Sequence, residues 1–232
     1  MELGITKMHG IGNSYILIED LKRNLESKYS AIAKSISDKN FGIGSDGILV
    51  VNKGKLAKYW MRVFNPDGSE AEKSGNGLRM FVRYLYDKKL IGREAEIEVG
   101  GKQGGKIVKS LINRDGSVTV DMGKGEILGK KTLEINGTKF SGVRLSVGNP
   151  HFVVFANSER EAKNNALKYG SAIENHEKFK PDRTNVEFVF VKGKTDIVLN
   201  VWERGAGLTL SSGTGSCAGA FTSFKETKVK NK

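Results

Sequence analysis

Thiols are nearly absent from this chain. Cys217 is the single cysteine in 232 residues, so no intramolecular disulfide can form. The three histidines, His9, His151 and His176, lie too far apart in sequence for Cys/His zinc spacing. Proline is scarce at 3 residues against 29 glycines, so most turns must be glycine turns. No segment approaches the roughly 18 consecutive apolar residues of a membrane span. The start, Met1 to Met8, lacks a secretory signal pattern. A protein without a membrane partner, in the cytoplasm, is the expectation. Acidic residues are also in deficit, 26 against 38 lysines and arginines, for a formal net charge of +12. A basic surface can serve nucleic acid or an anionic small molecule. The lysines are scattered apart from the tail Lys225, Lys228, Lys230 and Lys232, and no nucleic-acid module accompanies them. They read as a solvated surface.

The length allows one large domain or two small ones, and a hydrophobic content of 38 % is enough for a sizeable core. Strand signals dominate: 15–19, 47–51, 59–64, 95–99, 107–111, 118–122, 152–156, 186–191 and 197–202. Helical spacing of apolar residues marks 27–37, 78–88 and 159–169, and a fourth helix is expected to start near Ser216. Many strands with few helices argue an α+β fold.

The chain also repeats itself. Residues 64–77 read FNPDGSEAEKSGNG and residues 202–215 read WERGAGLTLSSGTG. At a constant offset of 138, Phe64 matches Trp202, Ser74 matches Ser212, Gly75 matches Gly213 and Gly77 matches Gly215. Each copy follows a strand and precedes a helix. Duplication implies two similar domains, 1–118 and 119–232, joined within the polar stretch 113–125 and facing one another across a cleft.

Ser-Gly-Asn-Gly at 74–77 and Ser-Gly-Thr-Gly at 212–215 each open a helix. The first N–H groups of a helix have no partner within it, carry partial positive charge and favour anions. Glycine lets a backbone approach a ligand closely. One such turn is an ordinary helix cap. A matched pair reads as a cradle for a carboxylate or phosphate.

Six segments then appear in a set order: K-M-H-G-I-G-N-S-Y at 7–15, F-G-I-G-S-D-G at 41–47, F-N-P-D-G-S-E-A-E-K-S-G-N-G at 64–77, G-N-P-H-F at 148–152, R-T-N-V-E-F at 183–188 and E-R-G-A-G-L-T-L-S-S-G-T-G at 203–215. Over roughly residues 5–220 the chain resembles the diaminopimelate epimerase family. The resemblance implies two pseudo-symmetric domains, each a strand-rich barrel around a central helix. It implies inversion of one Cα of diaminopimelate in lysine biosynthesis, with no cofactor and no metal, by a base on each face. Asn13, Asn65, Asn149, Asn185, Glu203 and Arg204 resemble the family's polar binding set for the distal, unreactive amino-acid centre, Glu203 and Arg204 offering one charge of each sign to a zwitterion. Gly75, Asn76, Gly213 and Thr214 would hold the reacting carboxylate. His151 and Glu203 would also support the reacting centre. A homodimer is compatible with the pattern.

Two features depart from the family. Its two catalytic cysteines are matched by Ser74 and Ser212, and a serine hydroxyl is far less acidic than a thiol. Cys217, five residues past Ser212, matches a non-catalytic position and is expected to be a small buried apolar residue. Paired isosteric replacements that trap a substrate, a racemase or isomerase of another amino acid with different chemistry, and an amino-acid-binding protein without catalysis all fit the serines. The family also continues beyond the second glycine-turn helix with further strands, so the second domain is expected to lack its last strands and expose a sheet edge.

Overall fold

The computed structural model describes residues 3–100 and 105–230. The chain divides into two compact units, Met1–Met122 and Gly123–Lys232, a few residues beyond the expected 118/119. None of the described helices is long and apolar enough to cross a membrane.

The first unit runs β1 (Ile5–Gly10), β2 (Asn13–Glu19), α1 (Tyr29–Ser37), β3 (Ile48–Lys53), β4 (Tyr59–Phe64), β5 (Glu70–Ala71), α2 (Gly75–Asp87), β6 (Glu94–Val99), β7 (Lys106–Ile112) and β8 (Val118–Val120). The strands form one sheet in the order β1-β2-β3-β4-β6-β7-β8, with β5 beside β4. Helix α2 touches β1 and β8 at the two ends of that order, and β2, β3, β4 and β7 between them. The sheet therefore curls around the helix. Its central strands are apolar on both faces, as a sheet covered on both sides requires. Tyr15, Leu17, Leu49, Val51, Met61 and Val63 pack inward with Leu78, Phe81 and Leu85 of α2. Ile16, Ile18, Ile48, Val50 and Phe64 pack outward with Tyr29 and Ala33 of α1. Each fully buried side chain of this kind contributes about 1.5–3 kcal/mol.

The second unit runs β9 (Glu126–Ile135), β10 (Thr138–Ser146), β11 (Pro150–Ala156), α3 (Glu159–Glu174), β12 (Asn185–Val191), β13 (Ile197–Glu203), β14 (Gly207–Thr209) and α4 (Gly213–Lys225). Its sheet follows the order β14-β13-β12-β11-β10-β9. Phe152, Val154, Val186 and Phe188 face the α3 side. Val153 and Val189 face Ala218 of α4. Here the sheet is open and lies between two helices.

The two units share a topology. Parallel β2/β3 and antiparallel β3/β4 correspond to parallel β11/β12 and antiparallel β12/β13, with α1 answering to α3 and α2 to α4. The match breaks where β6 lies parallel to β4 at Tyr59, Trp60 and Met61. At the positions 138 residues later, Ile197, Val198 and Leu199 are only half-buried. Cys217 is likewise half-buried, packed at the margin of the α4 cluster, because it sits near the exposed side of α4 rather than on its sheet-facing stripe.

Several strands escaped the sequence reading: β1, β5, β9, β10 and β14. β9 and β10 form a long hairpin whose turn, Asn136-Gly137, has both residues at positive φ, 49° and 76°. Asn-Gly is a strong hairpin signal, but β9 before it is mostly exposed and β10 after it mixes buried with exposed positions, so neither presents a continuous apolar run. Helix α3 extends five residues beyond the expected Tyr169.

Candidate active site

Each unit carries one serine-capped helix start, and the two are built alike. Ser74 precedes α2 with φ −135° and ψ 122°. Ser212 precedes α4 with φ −133° and ψ 122°. Each Oγ accepts a hydrogen bond from the backbone N–H three residues on: Gly77 at 3.0 Å and Gly215 at 3.1 Å. This is N-cap geometry. It leaves each hydroxyl at the positive end of a helix dipole. Both glycines are tightly enclosed. A Cβ on Gly77 would meet Leu49 Cδ2 at 2.9 Å, and one on Gly215 would meet Glu187 Oε1 at 3.1 Å.

In the first unit, buried Asn76 donates from Nδ2 to Asn13 Oδ1 at 3.3 Å and accepts at Oδ1 from Arg79 at 2.5 Å. Asn13, also buried, donates to Asp46 Oδ2 at 3.0 Å, and the same oxygen accepts from Ser14 N at 2.8 Å. Asn13, Asn76 and the Ser74 cap thus form one connected group. Asn65 stands apart. Its Nδ2 donates to Ser69 Oγ at 3.0 Å and its backbone closes the β4–β5 turn on Ser69.

The second unit repeats this plan with ionisable groups. Asn149 lies two residues before the β11 residue, His151, just as Asn13 lies two before Tyr15 of β2. Its Nδ2 donates to Thr214 Oγ1 at 3.5 Å, and Thr214 is the match of Asn76. His151 Nε2 pairs with Asn149 Oδ1 at 3.0 Å and Nδ1 with Glu187 Oε1 at 2.7 Å. Ser212 Oγ donates to Glu203 Oε2 at 3.0 Å, and Thr209 donates to Glu203 Oε1 at 2.6 Å. Burial pushes the carboxyl groups of Glu187 and Glu203 above the usual carboxylate range; His151 opposes the rise at Glu187, and the Thr209 and Ser212 hydroxyls oppose it at Glu203.

Glu203 thus faces Ser212 and Thr209. Arg204 is fixed through its backbone N–H to Asn185 Oδ1 at 2.9 Å and through Nη1 to Asp182 O at 2.7 Å. Asn185 donates to Pro150 O at 2.9 Å. Arg204 and Asn185 thus form a second cluster in this unit, next to Gly205, whose N–H meets Glu174 at 3.0 Å. Gly75 and Asn76, and Gly213 and Thr214, occupy the first turns of α2 and α4. The described residues contain no group of three or more His, Cys, Asp or Glu arranged to hold a metal.

Asp46, Arg79 and Glu187 were not singled out from the sequence. Asp46 and Glu187 lie inside two of the recurrent motifs, F-G-I-G-S-D-G and R-T-N-V-E-F. The stronger signal was Glu187 itself, a carboxylate amid Val, Phe and Val in a strand that is otherwise apolar.

A family model described as diaminopimelate epimerase matches residues 5–128 and 143–232. A diaminopimelate epimerase of Carboxydothermus hydrogenoformans is 40 % identical over 91 % of this chain and 80 % of its own length. That of Moorella thermoacetica is 37 % identical over 96 % of this chain and 85 % of its own. Among solved structures, a probable proline racemase from Agrobacterium radiobacter K84, with bound carbonate, superposes with a TM-score of 0.73 at 12 % identity, covering 97 % of this chain and 78 % of that one. At that identity the likeness is one of fold.

Proposed function

The chain belongs to the diaminopimelate epimerase family, and on that premise we propose that it recognises diaminopimelate in the cytoplasm as a cofactor-independent isomerase, with Ser74 and Ser212 at the two acid/base positions. The observation that carries this reading is the pair of N-caps whose backbone angles agree within 2°, one in each repeat. A two-base inversion needs two such groups, and the duplication supplies two.

The physical chemistry divides the site into parts that are present and one that is weak. A Cα proton is a very weak acid, and its removal places charge on the adjacent carboxylate. Helix N-termini stabilise that charge where it develops. Gly75 and Asn76 in one repeat, and Gly213 and Thr214 in the other, are placed at such termini. Asn13 and Asn149 hold Asn76 and Thr214 in place. Arg204 and Asn185 supply polar contacts for the unreactive end of the substrate. The weak part is the base. A serine hydroxyl without a strong partner base is seldom ionised near neutral pH. Ser74 accepts from Gly77, and Ser212 donates to a carboxyl group whose own affinity for protons is raised. The chain as it stands therefore binds substrate and inverts it very slowly.

Proton NMR of diaminopimelate in heavy water tests this directly. Binding with a nearly constant Cα signal is the expected result, and rapid loss of the signal would refute the assignment of the serines as poor bases. Absence of any binding, with retention of smaller amino acids such as proline, would instead favour a racemase of another substrate.

A further inference from the structure

Beneath the start of α4, His151 is paired with a buried carboxyl group, Glu187, to which the two-base scheme assigns no part. Glu187 of β12 is 0 % exposed and His151 of β11 is 1 % exposed. Both project from the α4 face of the sheet. Glu187 Oε1 meets His151 Nδ1 at 2.7 Å and lies 3.1 Å from where a Gly215 Cβ would stand. Its other oxygen, Oε2, is buried with no hydrogen-bond partner among the described residues.

The first unit sharpens the question. Leu49 lies 138 residues before Glu187 and occupies the same place, beneath the Gly77 of α2. Tyr15 stands one residue before Ile16, which pairs with Ile48; His151 stands one residue before Phe152, which pairs with Val186. One repeat therefore floors its helix start with Tyr15 and Leu49, and the other with His151 and Glu187. The ionisable pair is not demanded by the fold, because the apolar version builds the same turn.

Hydrogen-bond accounting decides how the pair is protonated. Asn149 donates from Nδ2 to Thr214, so its Oδ1 must accept, and His151 Nε2 carries a proton. Nδ1 then either bears a second proton against an ionised Glu187 or accepts one from a neutral Glu187. An ionised carboxylate with one unpartnered oxygen, deep in the unit, is the more costly choice. The titratable neighbours are Glu203 at the end of β13 and the pair itself. The first turn of α4 contributes no acidic side chain.

We propose that Glu187 is a positioning residue that acts through His151: the two share a single proton, carried on Glu187 Oε1 and donated to His151 Nδ1, which locks the ring as an Nε2–H donor to Asn149 and keeps the floor of the α4 N-terminus uncharged. Two consequences follow for the ligand. Asn149, held by the ring, presents Nδ2 to Thr214. The helix start keeps its positive potential for a substrate carboxylate, since no buried anion lies behind it. This deepens the proposed diaminopimelate reading, but its central claim concerns the protein without ligand.

The test is ¹⁵N NMR of the imidazole rings. The chain has three histidines, so variants at His9 and His176 assign the His151 signals. The wild-type chain is expected to show one Nε2–H tautomer of His151, unchanged between about pH 5.5 and about pH 8.5, across the ordinary histidine midpoint of about 6.5. Glu187→Leu, which installs the residue of the other repeat, should release the ring to a mixture of tautomers that titrates. Glu187→Gln, whose amide can donate to Nδ1, should bring the single tautomer back. Diaminopimelate binding should fall about tenfold in Glu187→Leu, in the range of one lost positioning hydrogen bond, and largely recover in Glu187→Gln. A doubly protonated ring, an Nδ1–H tautomer or an ordinary titration in the wild-type chain would overturn the proposal. So would an unchanged His151 pattern in a folded Glu187→Leu variant. Failure of diaminopimelate to bind the wild-type chain would count against the substrate reading alone, because the ring signals need no ligand.

Discussion

Restoring sulfur at the two caps is the most informative perturbation. In Ser74→Cys with Ser212→Cys, each thiol would inherit the N–H of Gly77 or Gly215, now 3.0 and 3.1 Å from the hydroxyls. An isolated thiol ionises near about 8.5, and an unactivated hydroxyl only at far higher pH. A helix N-terminus in a partly buried setting contributes up to about 2 kcal/mol to an adjacent anion, or about 1.5 pK units at about 1.36 kcal/mol per unit. The same helix end acts on a thiol and on a hydroxyl alike, so it lowers both and the gap between sulfur and oxygen stays at about 7 units. An alkoxide is the stronger base once formed, and a Brønsted slope of about one half returns about half of that advantage. The net expectation is an acceleration of roughly 10³- to 10⁴-fold in Cα proton exchange. At position 212 the carboxyl of Glu203, 3.0 Å from the hydroxyl, opposes a neighbouring thiolate. The thiol at 74 should therefore ionise at lower pH than the thiol at 212. Loss of the Cα signal in heavy water gives the exchange rate, and thiol absorbance against pH gives the order of ionisation. A double variant that binds diaminopimelate yet exchanges no more than about tenfold faster than the serine chain would refute the claim that the base limits the reaction.

Three further expectations concern stability and pH. Gly170→Ala in α3 reverses the usual sign: alanine ordinarily stabilises a helix interior by about 0.5–1 kcal/mol, but its Cβ would come within 2.6 Å of the Trp202 ring, which Glu174 holds at Nε1. Overpacking of about 1–3 kcal/mol should leave the variant less stable in urea, and a raised midpoint would contradict this. Arg62→Ala removes a side chain that is 1 % exposed and strands Glu26 and Glu70, now 2.5 and 2.6 Å away. Denaturant unfolding should show a loss of about 3–5 kcal/mol, and a loss below about 1 kcal/mol would mean the pair is solvated. Glu203 has a raised pKa through burial, so the folded chain holds its proton to higher pH than the unfolded chain. That contribution is complete below the unfolded value of about 4.3 and is lost as pH rises through the folded value. Glu203→Gln should therefore lose less stability than the parent between about pH 5 and about pH 8, and parallel stability curves for the two proteins would dismiss the effect.

The sequence by itself determined the parts of this protein that are local. The central strands announce themselves through runs such as Ile48 to Val51, because a sheet covered on both faces needs apolar residues at every position. The serine-glycine turns announce the helix starts, because Ser at the cap and Gly behind it are what that backbone requires. The offset of 138 announced the duplication, since two copies of one turn between strand and helix are hard to reach by chance. The family order of the six motifs pointed to the substrate class. Tertiary structure alone decided which polar groups meet. Asn13 and Asn76 are 63 residues apart, and His151 and Glu187 are 36 apart, joined only because β11 and β12 lie parallel with His151 opposite Asn185. Glu203 is bonded to Thr209 and Ser212, a meeting of β13, β14 and the α4 cap that no local pattern records. The same limit applies to the unequal floors of the two repeats. Leu49 and Glu187 sit in equivalent strands, and burial under a glycine turn, a property of packing, is what makes one an ordinary core residue and the other a shared proton.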